Sequence, residues 1–571
     1  MIDNKKYNIF VIVALIFLFL FVGFLTLDKD LPNNYSSSRA PYLDESLKNY
    51  IVKNIVEHNI PQPYNVNEFR SKWLKSPIYS FWVLPFAKLI GIGYYQVRLI
   101  SLFTAVVALG IIFLIIKSSF SYYHSFIFFL LLVSNSSFFF FSRLGTYESL
   151  FLLITCIVIY LILFKNKNFV FLLTTGFICS LLYLLKAIGI IIFIFCLFYL
   201  LLNEYYKKNR IVLKNFKNTI LLFFSFSFFQ IFISFLMKIF FYEAPRSYSF
   251  EGSKAIVGNY LPSNIIQLLY NILITFQETE FFISNSLLVA LALFGLGFIF
   301  LFGKNLYKND IDVIMVLWFI VGTFTMAVFT YRPSRFYYFL IPSIIYWATF
   351  ILKVQKTDTY PLKLSIIYKT LGSVFFAFSF KIIIDQIILK FDNFIFTDIN
   401  LAHLVYTNNI IKYVLIFILI FGFFDKLISI LKNHLNFIKS VFQLCFIILL
   451  FTNLLILFKW TFSDNVTMRM NNDKIRTLVE SSNNFKFAGQ WSPAFVFDLP
   501  KVQSFPIIPG VYNEHIIEEL DIKYLFLERY FIDQKIKEKI INDKKYDISV
   551  IDSFLIAEKY HVDLYELKNN K

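Results

Sequence analysis

The sequence predicts a polytopic α-helical membrane protein of about thirteen spans, carrying a small α/β domain at its C-terminal end. Three observations predict it. The 571 residues are 58% hydrophobic and 16% charged, with 75 Phe. Soluble globular chains are about half apolar and about a quarter charged. The apolar residues come in uninterrupted runs of about 17–23, long enough to cross a hydrocarbon core. They do not alternate over ten-residue segments, so helices rather than barrel strands satisfy the backbone. Beyond about residue 464 the runs stop, and short strand-like and helix-like segments take their place.

The first run, Ile9 to Leu27, follows Lys5 and Lys6. A signal peptide would have an apolar stretch of about 7–15 residues and a small-residue cleavage site. A retained first helix is expected instead. Candidate spans then cover roughly 8–27, 99–116, 125–141, 148–164, 169–185, 187–202, 219–241, 284–303, 312–330, 336–352, 363–384, 409–424 and 440–460.

With the N-terminus in the cytoplasm, every inside loop carries Lys or Arg, from Lys117 and Lys165 through Lys207, Lys208 and Arg210 to Lys432 and Lys439. That is the positive-inside pattern. It accounts for much of the net charge of +17, so the charge implies a lipid bilayer and no nucleic acid. The four cysteines, Cys156, Cys179, Cys196 and Cys445, lie inside apolar runs with no CxxC or HExxH pattern. They are expected to be packing residues.

The outer face then holds a first loop of about 28–98 with juxtamembrane helices, the short turns "SRLGTYES" (142–149), "LKAIG" (185–189) and "YRPSR" (331–335), longer loops at about 242–283 and 385–408, and the tail. Residues 1–463 are expected to form the membrane domain and 464–571 an extracytoplasmic α/β domain. In the tail, "AFVFDLP", "KYLFLERY" and "YHVDLYEL" are expected strands; "NEHIIEEL" and "IDQKIKEKII" are expected helices.

The outer turns are short yet carry isolated charges, and ionisable groups at membrane depth are costly. Asp44 and Glu45 stand at the start of an expected amphipathic helix with Leu47, Tyr50, Ile51 and Ile55 on one face. An N-cap role for Asp44 and a favourable first-turn charge for Glu45 are the plain alternative. Glu148 opens the fourth span, where pairing with Arg143 is the plain alternative. Lys75, Arg143, Lys186, Arg332 and Arg335 are the outer cations, and each alone could be a snorkelling anchor. Together they suit a transfer site, in which a carboxylate activates a nucleophile and cations hold a phosphate.

These residues bring the chain to a known family. It resembles the GT-C glycosyltransferases, in the bacterial branch related to protein mannosyltransferases and the lipid A aminoarabinose transferase. "LDESLKNYIVKNIVEHNIPQP" is similar to the family's Asp-Glu segment, and "KSPIYSFWVLPFAKLIGIGYYQVRLISLF" to its Lys-Pro-Pro-x-x-x-Trp stretch. "SRLGTYES" resembles Arg-Leu-x-Thr-x-Asp, "LLKAIG" resembles Thr-Lys-Gly-x-x-Gly, and "RPSRFYYFLIP" resembles a late Arg-Tyr segment. "FAGQWSPAFVF" is similar to the start of the family's outer domain. The resemblance spans nearly the whole chain and rests on the order of motifs that are individually short.

The resemblance implies a GT-C fold and an inverting transfer of a hexosyl or pentosyl group from a polyprenyl-phosphate sugar to a glycolipid such as lipid A, another envelope glycan or a protein. It implies Asp44 as the base, with Glu148 and Glu45 assisting. Lys75, Lys186 and Arg335, with Arg143 and Arg332, would hold the donor phosphate. Departures are Glu148 for the usual Asp, Ser76 for a Pro, Phe336 for a Tyr, and Leu74 where the aminoarabinose transferases have Glu. The last leaves a divalent metal ion open. A flippase or transporter of lipid-linked sugars, and a glycan polymerase or ligase, are the rival expectations; transporters concentrate polar groups at the midplane, whereas here the charges sit at span ends.

Overall fold

A computed structural model describes residues 4–32, 40–58, 77–164, 168–208, 213–241, 264, 267, 271, 279–302, 309–328, 333–354, 366–395, 409–463, 467–479, 486–489, 491–500, 502–505, 517, 521–529, 537–538, 546–556 and 560–569. The helices in order are α1 (Asn4–Leu25), α2 (Ala40–His58), α3 (Pro77–Ile90), α4 (Tyr94–Ile116), α5 (Tyr122–Ser134), α6 (Ser136–Arg143), α7 (Glu148–Phe164), α8 (Phe169–Leu185) and, after a 3-10 turn at Ala187–Gly189, α9 (Ile190–Lys208). There follow α10 (Leu213–Phe241), α11 (Glu280–Ser284), α12 (Ser286–Phe302), α13 (Asp310–Val328), a 3-10 segment Ser334–Leu340, α14 (Ile341–Lys353), α15 (Ile366–Ile395), α16 (Asn409–Gly422), α17 (Phe424–Asn433), α18 (Leu435–Thr461) and α19 (Thr467–Val479).

Most expected spans are helices, with bounds shifted by a few residues. Among the described residues five helical stretches are long and apolar enough to cross a membrane, or six if the bent pair α5–α6 is one span. Six further apolar helices are shorter, so a count of thirteen spans does not follow from helix length. One of the shorter six lies largely within Pro77–Ile90, a stretch placed in the outer loop from sequence.

The bend of 61° between α5 and α6 has a local cause. Asn135 leaves the helical region, and its side-chain oxygen accepts from the Phe138 amide at 2.8 Å, capping the new helix. Asn135 and Asn285 then hydrogen-bond at 2.8 Å in the interior. The redirected α6 delivers Arg143 and the 144–147 turn to one end of the bundle. Packing is close elsewhere: a Cβ on Gly295 would lie 2.0 Å from the Trp347 carbonyl oxygen, so only Gly lets α12 meet α14.

After α18 the chain builds a five-stranded sheet, β1 (Lys486–Ala488), β2 (Gln503–Phe505), β3 (Tyr524–Glu528), β4 (Tyr546–Ile556) and β5 (Tyr560–Asn569), in the order β2-β1-β3-β5-β4. The β1 pairings are parallel; β3–β5 and β5–β4 are antiparallel. "KYLFLERY" and "YHVDLYEL" supply β3 and β5 as expected. "AFVFDLP" does not form a strand: Ser492–Val496 is a short helix, α20, with a proline in its first turn. Its buried aromatic run packs like a strand's, and Phe495 stacks on Phe526 at 4.6 Å. Of the two expected tail helices only Ile517 and residues 537–538 are described, all three helical. The core of the bundle runs on without a break into Phe487, Trp491 and Phe495.

Candidate active site

Asp44 sits one turn inside α2, which begins at Ala40, so it does not cap that helix. Helical spacing places Lys48 beside it: Lys48 Nζ lies 3.4 Å from Asp44 Oδ2. From the other side Arg335, in the 3-10 segment Ser334–Leu340, brings Nη2 to 2.5 Å from the same oxygen. Arg335 Nε is 3.9 Å from Glu148 Oε1, and Lys186 Nζ is 3.3 Å from it. Two carboxylates and three cations from four separate segments therefore form one chain of charges, with a formal excess of one positive charge.

Aromatic rings floor the cluster. Lys48 Nζ stands 3.7 Å from the centroid of Tyr147, and Lys186 Nζ stands 3.7 Å from that of Phe336 and 4.9 Å from that of Tyr147. Such cation–π contacts strengthen when desolvated. The side chain of Glu148 is 3% exposed, that of Asp44 22%. Glu148 Oε2 is buried with no hydrogen-bond partner among the described residues.

Burial raises the Asp44 carboxyl, but Arg335 and Lys48 outweigh it and hold its pKa at about 2. Burial lowers the Lys48 ammonium, against the pull of Asp44. In the turn between α8 and the next helix, burial likewise pulls the Lys186 ammonium down, to about 7, with Glu148 opposing. Asp44 is thus an ionised carboxylate, and an anion entering the cluster would favour the charged form of both lysines.

Glu45, adjacent in sequence, points elsewhere. Its Oε1 accepts from Arg98 Nε at 2.9 Å and from the Gly145 amide at 2.7 Å, and its Oε2 accepts from Arg98 Nη2 at 2.8 Å. Arg98 also donates to Asp30 Oδ1 at 2.9 Å and to the carbonyls of Leu27 and Lys29 at 3.0 Å. A Cβ on residue 145 would lie 2.9 Å from Glu45 Oε1 and 2.4 Å from Val97 Cγ2, so Gly145 is required for this contact. Arg143 donates to the Thr26 carbonyl at 2.6 Å and to that of Lys29, and stacks 4.3 Å over Trp460. It is not paired with Glu148.

The structure thus gathers Asp44, Glu148, Lys186 and Arg335, and places Glu45 and Arg143 in a second network around Arg98 and the Lys29 carbonyl. Lys75 and Arg332 lie outside the described residues. Lys48 joins the cluster unforeseen, although its i+4 spacing from Asp44 was visible. Arg98, the centre of the second network, was also unforeseen. The described residues contain no group of three His, Cys, Asp or Glu able to hold a metal ion. The two clustered carboxylates face cations instead, so these described residues do not fit a divalent metal; Leu74, on which the metal question rested, lies outside the described residues.

No protein-family model matches the chain, and no curated protein matches it in sequence. Solved structures do. ArnT from Cupriavidus metallidurans, bound to undecaprenyl phosphate, aligns over 98% of this chain and 98% of its own at a TM-score of 0.57 and 10% identity. The archaeal oligosaccharyltransferase AglB from Archaeoglobus fulgidus, in complex with an inhibitory peptide and a dolichol-phosphate, aligns over 99% of this chain and 75% of its own at a TM-score of 0.46 and 12% identity. The chain shares the GT-C fold of ArnT.

Proposed function

We propose that the chain is a glycosyltransferase that moves a sugar from a polyprenyl-phosphate donor to an acceptor hydroxyl at the outer face of the bacterial inner membrane. The observation that carries this reading is the cluster itself: an ionised carboxylate, Asp44, held against Lys48 and Arg335 in a group whose three cations outnumber its two carboxylates. That surplus suits a phosphate, and the aromatic floor of Tyr147 and Phe336 suits a buried one. Undecaprenyl phosphate, the ligand of the ArnT neighbour, has this chemistry, and its own tail would hold it at the membrane surface. On this reading residues 1–463 are the catalytic membrane part and 464–571 the outer domain.

The step follows from the placement. Asp44 accepts the acceptor hydroxyl's proton as that oxygen attacks the anomeric carbon. The bond from that carbon to the phosphate oxygen breaks, its electron pair leaving with polyprenyl phosphate, and the configuration inverts. Arg335 and Lys186 stabilise the charge that develops on the leaving phosphate; fixed cations in a desolvated site are worth more there than in water. Glu148 holds Arg335 and Lys186 toward each other. Glu45 and Arg143 act by seating α2 and the 144–147 turn. No step runs through a metal.

The test is donor choice. Purified protein in liposomes should transfer label from a polyprenyl-phosphate sugar and none from a nucleotide sugar free of lipid carrier. Transfer from the nucleotide sugar alone would overturn the proposal. Mass spectrometry of envelope glycolipids with and without the gene would identify the acceptor.

A further inference from the structure

Helix α2 has two working faces. One carries Asp44 and Lys48 to the charge cluster. The other is bound to the tail. Lys53, 1% exposed, donates to the carbonyls of Phe497 at 2.6 Å and Leu499 at 2.7 Å, and pairs with Glu57 at 3.3 Å. These carbonyls follow the end of α20, where a cation is favoured by the unpaired backbone oxygens. One turn earlier, the buried Tyr50 hydroxyl accepts from the Ser504 amide at 2.6 Å, which ties α2 to β2. Between the faces, Asn49 Nδ2 donates to the Gly145 carbonyl at 2.7 Å.

A buried ammonium is costly unless fully bonded. Seating a membrane-surface helix on a soluble domain does not require one. Nine residues separate Lys53 from Asp44, roughly 13 Å of rigid helix at 1.5 Å per residue. A tilt at the Lys53 end therefore moves the carboxylate, and a shift of about 1 Å at a reacting group can cost roughly 100-fold in rate.

We infer that Lys53 is a positioning residue: by bonding the Phe497 and Leu499 carbonyls it transmits the seating of the tail domain through α2 and sets Asp44 against Arg335. The inference rests on Asp44 being the base of the proposed transfer.

Lys53→Met keeps the stem and removes the bonds. The expected result is a fall in kcat of about 10- to 100-fold per folded molecule, with donor KM within about threefold, and recovery of most activity by Lys53→Arg, whose guanidinium can donate to the same carbonyls. A merely structural lysine would lower the yield or thermal stability and leave kcat per folded molecule unchanged, and that result overturns the inference. If Lys53→Met does not fold, Tyr50→Phe decides: it should lower kcat about 3- to 10-fold through the same helix, and an unchanged kcat overturns the inference. Asp44→Asn is measured alongside. An inactive Asp44→Asn beside a fully active Lys53→Met sinks the positioning role alone. An active Asp44→Asn sinks the reading on which it rests.

Discussion

Asp44 and Glu45 are neighbours in the chain and opposites in the structure. Glu45 is 1% exposed, with both oxygens occupied by Arg98 and the Gly145 amide. Arg98 in turn is saturated by Asp30 and two carbonyls, and Asp30 reaches the Met468 amide at 2.9 Å. Every N–H-bearing nitrogen of Arg98 has a protein acceptor. Asp44 is more exposed and faces an excess of cations. A charge-balanced network holds a fold together; one with surplus positive charge and a half-buried carboxylate still attracts an anion. The comparison teaches that the pairing of a buried charge, not its burial, marks a site.

Removing the Asp44 charge gives the sharpest test and the largest effect. Asp44→Asn keeps size and hydrogen bonding while deleting the base. Turnover should fall on the order of 10²–10⁴-fold, with insertion like the parent's and a loss of detergent stability no larger than the ionised carboxylate contributes, roughly 2–3 kcal/mol. Full activity would take Asp44 out of the chemistry and leave Glu148 as the base.

The same treatment of the charge-balanced network should do the reverse. Arg98→Met leaves Glu45 and Asp30 buried without their cation, and breaking such a pair costs roughly 3–5 kcal/mol. Thermal unfolding in detergent should show a large loss of stability. Whatever folds should keep donor KM close to the parent value. A stable Arg98→Met protein with an altered donor KM would mean that the second network belongs to the site.

How far the sequence revealed these two networks depends on reach. Glu148, Lys186 and Arg335 were legible as isolated charges beside apolar runs, where a charge is costly, and Asp44 as half of an acidic pair opening a helix. Lys48 is legible by spacing alone, four residues from Asp44, but an Asp–Lys pair on a helix is usually a solvated face. Arg98 was invisible as a hub because its partners lie 53, 68, 69 and 71 residues away. Arg143, expected among the phosphate cations, donates to the Thr26 and Lys29 carbonyls, and its place five residues before Glu148 says nothing about either. The apolar runs gave most helix positions, since span length follows from bilayer thickness. The kink at Asn135 was missed because it needs cap geometry. The short helix Ser492–Val496 was missed because an apolar aromatic run has no periodicity to tell strand from helix.

Lys186 should give an intermediate effect. Lys186→Ala removes one of the cations proposed to hold the donor phosphate, and a charged hydrogen bond is worth about 1.5–3 kcal/mol. The kcat/KM for the donor should drop about 10- to 100-fold, mainly through KM if the contact is already made in the ground state. An unchanged KM with a lowered kcat would place the contact in the transition state only.

The smallest effect concerns acid, and it asks whether the Asp44 pair is ionised as its geometry implies. Arg335 and Lys48 hold the carboxyl at about 2 against an ordinary value of 3.8. A folded-state value below the unfolded one means that the unfolded chain takes up its proton first as pH falls. The stabilisation is therefore fully present above about pH 4 and fades as pH drops through about 2. It amounts to roughly 2–3 kcal/mol, since each pKa unit corresponds to about 1.4 kcal/mol. Other carboxylates titrate in the same window, so the measurement is the difference in thermal stability between the parent and Asp44→Asn. That gap should be constant from neutral pH to about 4 and close toward pH 2. A gap that stays constant to the lowest pH would show that Asp44 gains nothing from its ionised form, and the contrast with Glu45 would lose its electrostatic half.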